Sequence, residues 1–148
     1  MATWNLYDLF RRKQVAGSGQ IDIAAVTIKC ALVTTGYTPD QNLHDFWADV
    51  VASEVTGTNY TAGGNACAVP TVTMNGSGLV TVDAGDPATW AQHASGFNNA
   101  VRAIVYRSTG VDATSELIAY SGAFTAGGNV DGPFSIQFDA AGIFTSPR

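Results

Sequence analysis

Apolar and polar residues alternate in several short stretches of the chain, which predicts a fold built mainly from β-strands. Residues 26–33 form a mostly apolar run with apolar side chains on both faces of a strand, which is typical of a central strand buried in the core. Residues 134–138, FSIQF, alternate strictly, which indicates a strand with one face toward the core. The predicted strands cover residues 26–34, 66–74, 78–83, 101–107, 116–121 and 133–139.

Turn residues separate these strands and favour antiparallel pairing. Asn75-Gly76, followed by Gly78, lies between two of the strands, and Asn-Gly is a strong signal for a β-hairpin. The pentapeptide TAGGN occurs twice, at residues 61–65 and 125–129. Because paired glycines supply positive φ angles, we expect two loops with similar backbone demands.

A helical period is found in residues 42–55. The apolar side chains recur there at three- and four-residue intervals: Leu43, Phe46, Trp47, Val50 and Val51. Asp40 or Asn42 is placed to cap this helix, and Thr56-Gly57 to end it. Six strands and one short helix predict a mainly β, single-domain fold, an antiparallel β-sandwich or a jelly-roll-like domain. The predicted domain spans residues 15–148, and residues 1–14 form an N-terminal arm.

The arm carries three aromatic residues at three-residue intervals, Trp4, Tyr7 and Phe10, on a short helix or a bent extended segment. Two interpretations remain open. The rings pack on the chain's own core, or the arm reaches into a neighbouring subunit, since an aromatic chain start would otherwise be exposed. The next residues, Arg11, Arg12 and Lys13, form either a solvated turn or an anchor for an acidic patch of a partner.

Charge limits the partners that the protein is expected to have. Only 13% of its 148 residues are charged, and this low density is typical of a surface that meets other subunits. The net charge is −5, and residues 14–148 carry four basic and eleven acidic side chains, a net −7. Because nucleic acid binding depends on Lys and Arg neutralising phosphates, we predict that the protein binds no nucleic acid.

No motif in the sequence predicts catalysis, a metal or a cofactor. His44 and His93 are not near Cys or Glu at metal-ligand spacing, and Asp83 with Asp86 lacks the spacing of a calcium loop. Cys30 is expected to be a free, buried thiol, as is Cys67. We recognise neither a signal peptide nor an apolar run long enough to span a membrane in the sequence. We therefore predict that the protein is synthesised in a reducing cytoplasm and has no membrane partner.

An ordered set of motifs runs along most of the chain. In order they are LYDLF (6–10), IKCALV (28–33), HDF (44–46), AIVYRSTG (103–110), SELIAY (115–120) and GIF (142–144). Together they resemble a family of small virion structural proteins of tailed bacteriophages. The resemblance implies a non-enzymatic building block of the particle.

Two positions on the virion follow from this resemblance as alternatives. The first is the outer surface of the capsid, where a decoration, or cement, protein binds the major capsid protein and copies of itself, as a trimer, and stabilises the assembled head. The second is the neck, the tail tip or a fibre, where the loops at 56–65, 108–115 and 121–132 would contact a receptor. Those loops offer only Tyr60 and Phe124 as aromatic residues.

Overall fold

The computed structural model describes residues 3–17 and 19–146, and this part of the chain forms two antiparallel sheets and one α-helix. The strands are β1 (Trp4–Leu6), β2 (Ile28–Val33), β3 (Asn65–Ala66), β4 (Ala68–Met74), β5 (Val80–Gly85), β6 (Arg102–Arg107), β7 (Leu117–Ser121) and β8 (Phe144–Ser146). The helix is α1 (Asp8–Ala16). The larger sheet has the order β1-β7-β6-β2-β3, and the smaller has the order β4-β5-β8. The prediction of a mainly β, sandwich-like domain is confirmed.

The core lies between the two sheets. Ile28, Val105 and Ile118 of the larger sheet line the same small void, of about 10 Å³, as Val82 and Ile143 on the side of the smaller sheet. All five side chains are buried. Because a void this small leaves the facing side chains in van der Waals contact, the two inner faces form one continuous packed layer.

The other face of the larger sheet is covered by aromatic side chains from the loops. Trp47 stacks on Tyr106 of β6, with ring centroids 4.7 Å apart and an interplanar angle of 8°. Trp90, Phe97 and Tyr60 form a second group of rings within 6.3 Å of one another. Covering both faces explains why β2 is apolar on both of its faces, as the sequence predicts.

The predicted helix over residues 42–55 is wrong. Two short 3₁₀ turns lie there, Trp47–Asp49 and Val51–Ser53. The backbone on both sides of these turns bonds to other strands: the Leu117 N–H of β7 donates to the Asp45 carbonyl, and the Val55 N–H donates to the Leu32 carbonyl of β2. Since these tertiary bonds take the place of a helical ladder, the apolar side chains reach the core without forming an α-helix.

The predicted strand over residues 133–139 is also wrong. Its backbone makes one isolated bridge, in which Phe134 and Trp90 exchange two hydrogen bonds of 2.9 and 3.0 Å. Asp86 holds the segment further along, because its carboxylate accepts a 2.7 Å hydrogen bond from the Phe138 N–H. The third strand of the smaller sheet is β8 instead, which pairs with β5.

The predicted hairpin between residues 66–74 and 78–83 is confirmed as β4 and β5. The Asn75 N–H donates to the Leu79 carbonyl at 3.0 Å, which closes a three-residue loop. Gly78 has a φ of 80°, whereas Gly76 does not have a positive φ. The loop is therefore a turn followed by a left-handed glycine at a bulge, and Gly78 is the position that requires glycine.

Candidate functional site

The N-terminal segment, the candidate partner-binding region of the sequence, is part of the fold. β1 pairs with β7, placing Trp4 opposite Ser121 and Leu6 opposite Ala119. Tyr7 is fully buried. The aromatic residues therefore pack on the chain's own core, which is the first of the two interpretations. Residues 1 and 2 of the arm lie outside the described residues.

Two of the three aromatic side chains of the arm are not available to a partner in the folded chain. Phe10 is 4% exposed and contacts the ring of Phe144 at 6.1 Å. The Tyr7 hydroxyl lies 2.7 Å from the Tyr37 hydroxyl, which lies 2.9 Å from His44 Nδ1. Burial raises the pKa of Tyr7 far above its usual value and raises the pKa of Tyr37 to about 12, so both phenols are neutral hydrogen-bonding groups.

The basic triplet is divided between the interior and the surface. Lys13 Nζ donates to both carboxylate oxygens of Asp45, at 2.7 and 2.8 Å, and to Glu116 Oε1 at 2.8 Å. It also lies 4.7 Å from the centre of the Phe46 ring, and Arg107 pairs with the second oxygen of Glu116 at 3.2 Å. We call these four charged residues the Lys13 cluster. The cluster joins α1 to the loop that contains Asp45 and to the segment from β6 to β7 that contains Arg107 and Glu116.

Burial opposes the charge of Lys13, but its partners outweigh that effect. Burial alone lowers the pKa of Lys13, whereas the hydrogen bonds that Lys13 donates to Asp45 and Glu116 raise it, and the net result is a raised pKa. The ammonium group is therefore positive at neutral pH and holds both carboxylates. Sequence reasoning missed Asp45 and Glu116, because they are 32 and 103 residues away from Lys13 and carry no local signal.

The outer side of α1 is the exposed part of the predicted site. Arg11, Arg12 and Val15 are exposed there, and Val15 is 89% exposed. We call these three residues the α1 surface. Arg11 pairs with Asp8 at 3.3 Å, but this is an exposed pair of little energetic weight. Arg12 makes no ion pair with any of the described residues, so a positive group faces solvent on a chain of net charge −5.

A cleft of about 750 Å³ lies beside the α1 surface, between the edge strands β1 and β8. Trp4, Phe10 and Phe144 supply its apolar lining. Trp4 Nε1 and Gln14 Nε2 are buried there without a hydrogen-bond partner among the residues that the structure describes. The cleft therefore has an apolar wall, and Arg11 of the α1 surface is among the residues that line it.

The strongest chemical candidate elsewhere is Glu54, at a recess of about 190 Å³ that Lys29 and Tyr106 also line. Burial raises the pKa of Glu54, although hydrogen bonds from the Tyr60 hydroxyl (2.8 Å) and the Gly63 N–H (2.6 Å) oppose the shift. Both bonds tie the loop before β3 to the sheet, so the carboxylate has a structural use. In residues 3–17 and 19–146, no group of three His, Cys, Asp or Glu side chains is arranged to hold a metal ion.

The aromatic residues of the three candidate receptor loops face inward. The Tyr60 hydroxyl bonds to Glu54 and accepts from the Leu32 N–H at 3.0 Å. Phe124 is half-buried and lies against Phe134, with ring centroids 6.1 Å apart. These rings contribute to the packing of the domain and present little surface to a receptor.

Comparisons with protein-family models, with curated proteins and with solved structures found no match to this chain. Among the described residues, no helix is long and apolar enough to cross a membrane. Cys30 and Cys67 are both free and buried, as the sequence predicts.

Proposed function

We propose that the protein is a non-enzymatic structural component of a bacteriophage virion, and that it decorates the outer surface of the capsid. The ordered motifs of the sequence support the virion role. The observation that carries the proposal in the structure is the α1 surface, where Arg11 and Arg12 face solvent on an otherwise acidic chain. Such a surface complements an acidic patch on another protein.

The Lys13 cluster supports this role by fixing the orientation of the arginines. Lys13 ties α1 to Asp45 and Glu116, so the helix that carries the arginines is attached to the sheet through charged hydrogen bonds. A rigid surface loses less entropy on binding than a flexible arm. The major capsid protein is the proposed partner, with copies of this chain assembled as trimers at local three-fold positions.

Decoration stabilises a shell through many modest contacts. A protein that binds only the assembled capsid shifts the equilibrium toward assembly by mass action, and the effect adds up over every copy. The tail alternative depends on receptor contact by loops, and the inward-facing rings of Tyr60 and Phe124 give it little support. We therefore favour the capsid.

The number of copies per particle tests the proposal. Quantitative mass spectrometry of purified virions, with the major capsid protein as reference, is expected to give about one chain per capsid subunit or about one per three. A ratio of a few chains per hundred capsid subunits would assign the protein to the neck or tail instead. Its absence from the particles would overturn the virion role.

A binding assay with particles that lack this protein tests the α1 surface. Arg12→Glu changes the charge by −2 and is expected to weaken binding, since the association rate constant and its salt dependence follow the charges at the rim of an interface. Asn98→Glu with Asn99→Glu is the matched control, because both asparagines are exposed, lie outside the α1 surface and change the charge by the same amount. Equal loss in both variants would point to net charge and contradict a specific site.

A further inference from the structure

The turn between β4 and β5 carries an asparagine followed by glycine, Asn75-Gly76, and no other asparagine in the sequence is followed by glycine. This pair of residues has a chemistry of its own. The backbone nitrogen after an asparagine can attack the side-chain amide, and glycine places no side chain in its way. Asn75, Gly76 and Ser77 are all exposed, so water and hydroxide reach both reacting groups.

The side chain of Asn75 is held beside the backbone nitrogen of Gly76. Its Oδ1 accepts two hydrogen bonds, from the Ser77 N–H and from the Leu79 N–H, both at 3.0 Å. The bond from Ser77 closes a ring that contains both Asn75 Cγ and Gly76 N, so it keeps these two atoms near each other. Both donors also point at the oxygen that becomes negative when Cγ is attacked, and they stabilise that charge.

The nucleophile is free in this turn. The Gly76 N–H makes no hydrogen bond to any of the residues that the structure describes, whereas the Ser77 N–H is used by Asn75. A Cβ added at Gly76 would meet no atom within 4 Å. The nitrogen is therefore accessible, and no hydrogen bond has to be broken before it reacts.

The same features are not combined at the other exposed asparagines, which are Asn42, Asn59, Asn98 and Asn99. The backbone N–H that follows Asn42, Asn59 or Asn99 is already hydrogen-bonded. Asn98 is followed by Asn99, whose side chain hinders the approach of the nitrogen. The geometry therefore favours Asn75 over the other four.

We propose that Asn75 is a site of spontaneous deamidation in the folded protein. The Gly76 nitrogen gives its proton to hydroxide and forms a bond to Asn75 Cγ. The bond from Cγ to Nδ2 breaks, and the side-chain nitrogen takes up a proton from water and leaves as ammonia. The succinimide ring then adds one water: opening at Cγ gives aspartate, and opening at the backbone carbonyl carbon gives isoaspartate. Nothing is oxidised or reduced.

This inference does not depend on the proposed virion role and is tested on the purified protein. The folded protein is incubated at mildly alkaline pH, and peptide mapping by mass spectrometry follows each asparagine. The peptide with Asn75 is expected to become a mixture of aspartate and isoaspartate, while the peptide with Asn98 and Asn99 stays unchanged. The product gains one negative charge on a chain of net −5, so ion exchange separates it. The rate should rise with pH, because hydroxide removes the proton of the nucleophile.

Gly76→Ala is the test variant. Its methyl group crowds the nitrogen but meets no other atom within 4 Å, so the fold is expected to be retained. Asn75 should remain largely intact in this variant when most of it has reacted in the unaltered chain. Ser77→Ala is the matched control: it changes an exposed residue of the same turn, keeps Asn75-Gly76, and should react like the unaltered chain.

Three results would overturn the proposal. Asn75 that stays intact in the folded protein, even if it reacts in urea, would show that the native turn keeps the two groups apart. An equal rate in Gly76→Ala would exclude attack by the Gly76 nitrogen. Reaction of Asn99 as fast as that of Asn75 would show that exposure alone decides, and not the geometry of this turn.

Discussion

Lys13 of α1 donates a 2.8 Å hydrogen bond to Glu116, which lies 103 residues further along the chain, directly before β7. This contact divides the basic triplet by function. Lys13 holds the helix to the sheet, and Arg11 and Arg12 remain exposed. A cluster of positive residues in a sequence can therefore contain both a structural and a surface component.

Replacing Lys13 with methionine is expected to destabilise the protein. The substitution keeps the apolar length of the side chain but leaves Asp45 and Glu116 without their shared cation, and Glu116 is only 6% exposed. Without Lys13, the Asp45 carboxylate loses its cation and Glu116 keeps only Arg107, so we expect a loss of about 1–3 kcal/mol. Urea denaturation measures the change.

Arg12→Met is the matched control for that substitution. Arg12 is adjacent, basic and exposed, and it makes no ion pair with the described residues. Its replacement should change the free energy of unfolding by less than about 0.5 kcal/mol. Equal effects of the two substitutions would contradict the structural role of Lys13.

The fold class could be predicted from the sequence because its strands carry a local signal. The alternation and the turn residues gave the positions of β2, β5, β6 and β7 to within a few residues. The short edge strands β1 and β8 have three residues each, too few to show a period. Their pairing depends on partners far away in the chain, which a local pattern cannot reveal.

The helix was predicted in the wrong segment for a related reason. Residues 42–55 have a helical period, but hydrogen bonds to other strands determine their conformation. Residues 8–16 form the helix, although they are polar on average, because Phe10 anchors one face and Lys13 another. Tertiary contacts therefore override local propensity at both places.

The repeated pentapeptide shows a similar limit. Gly63 and Gly64 of the first copy have φ angles of 82° and 71°, whereas the glycines of the second copy do not have positive φ. What the copies share is close packing: a Cβ at Gly64 would overlap the Cys30 carbonyl, and a Cβ at Gly128 the backbone of Phe97. The expected similarity of φ angles was wrong, and the requirement for glycine has a different cause.

The last residue of the second copy, Asn129, is expected to be critical for stability. It is fully buried, its Oδ1 accepts from the Phe97 N–H at 2.8 Å, and its Nδ2 donates to the carbonyls of Thr58 and Ala91. Asn129→Leu would remove all three bonds and leave the Phe97 N–H unpaired in the interior, whereas the Ala91 carbonyl keeps a bond from Asn59 Nδ2. We expect a loss of about 2–3 kcal/mol, measured by urea denaturation.

Asn65, the equivalent residue of the first copy, provides the control. It is half-exposed, and its side chain donates one hydrogen bond, to the Ala88 carbonyl. Asn65→Leu should cost only about 1 kcal/mol, since water can replace the lost bond. A smaller effect at Asn129 than at Asn65 would contradict the buried network.

Stability is expected to fall at alkaline pH. Burial raises the pKa of Cys67 from 9.0 to about 12 and the pKa of Tyr37 from 10.0 to about 12. Both groups ionise more readily in the unfolded chain, so their contribution is complete below about pH 9 and is lost as the pH rises toward about 12. The midpoint of urea denaturation should decrease over this window.

Cys67→Ala tests the cause of that pH dependence. The variant lacks one of the groups with a raised pKa, so its denaturation midpoint should depend less steeply on pH from about 9 upward. A thiol-specific reagent offers a second measurement, because Cys30 and Cys67 are buried and should react only on unfolding. Rapid labelling of the folded protein would contradict their burial.

The hairpin of β4 and β5 gives a test that depends on one φ angle. Gly78 has a φ of 80°, which costs a residue with a Cβ about 1–2 kcal/mol. Gly78→Ala is therefore expected to lower the free energy of unfolding by that amount. Gly76→Ala, in the same turn, should be neutral or slightly stabilising, because Gly76 does not have a positive φ and a Cβ there meets no atom within 4 Å. If Gly76→Ala proved the more harmful of the two in thermal denaturation, the turn would have its left-handed residue at the Asn-Gly step instead.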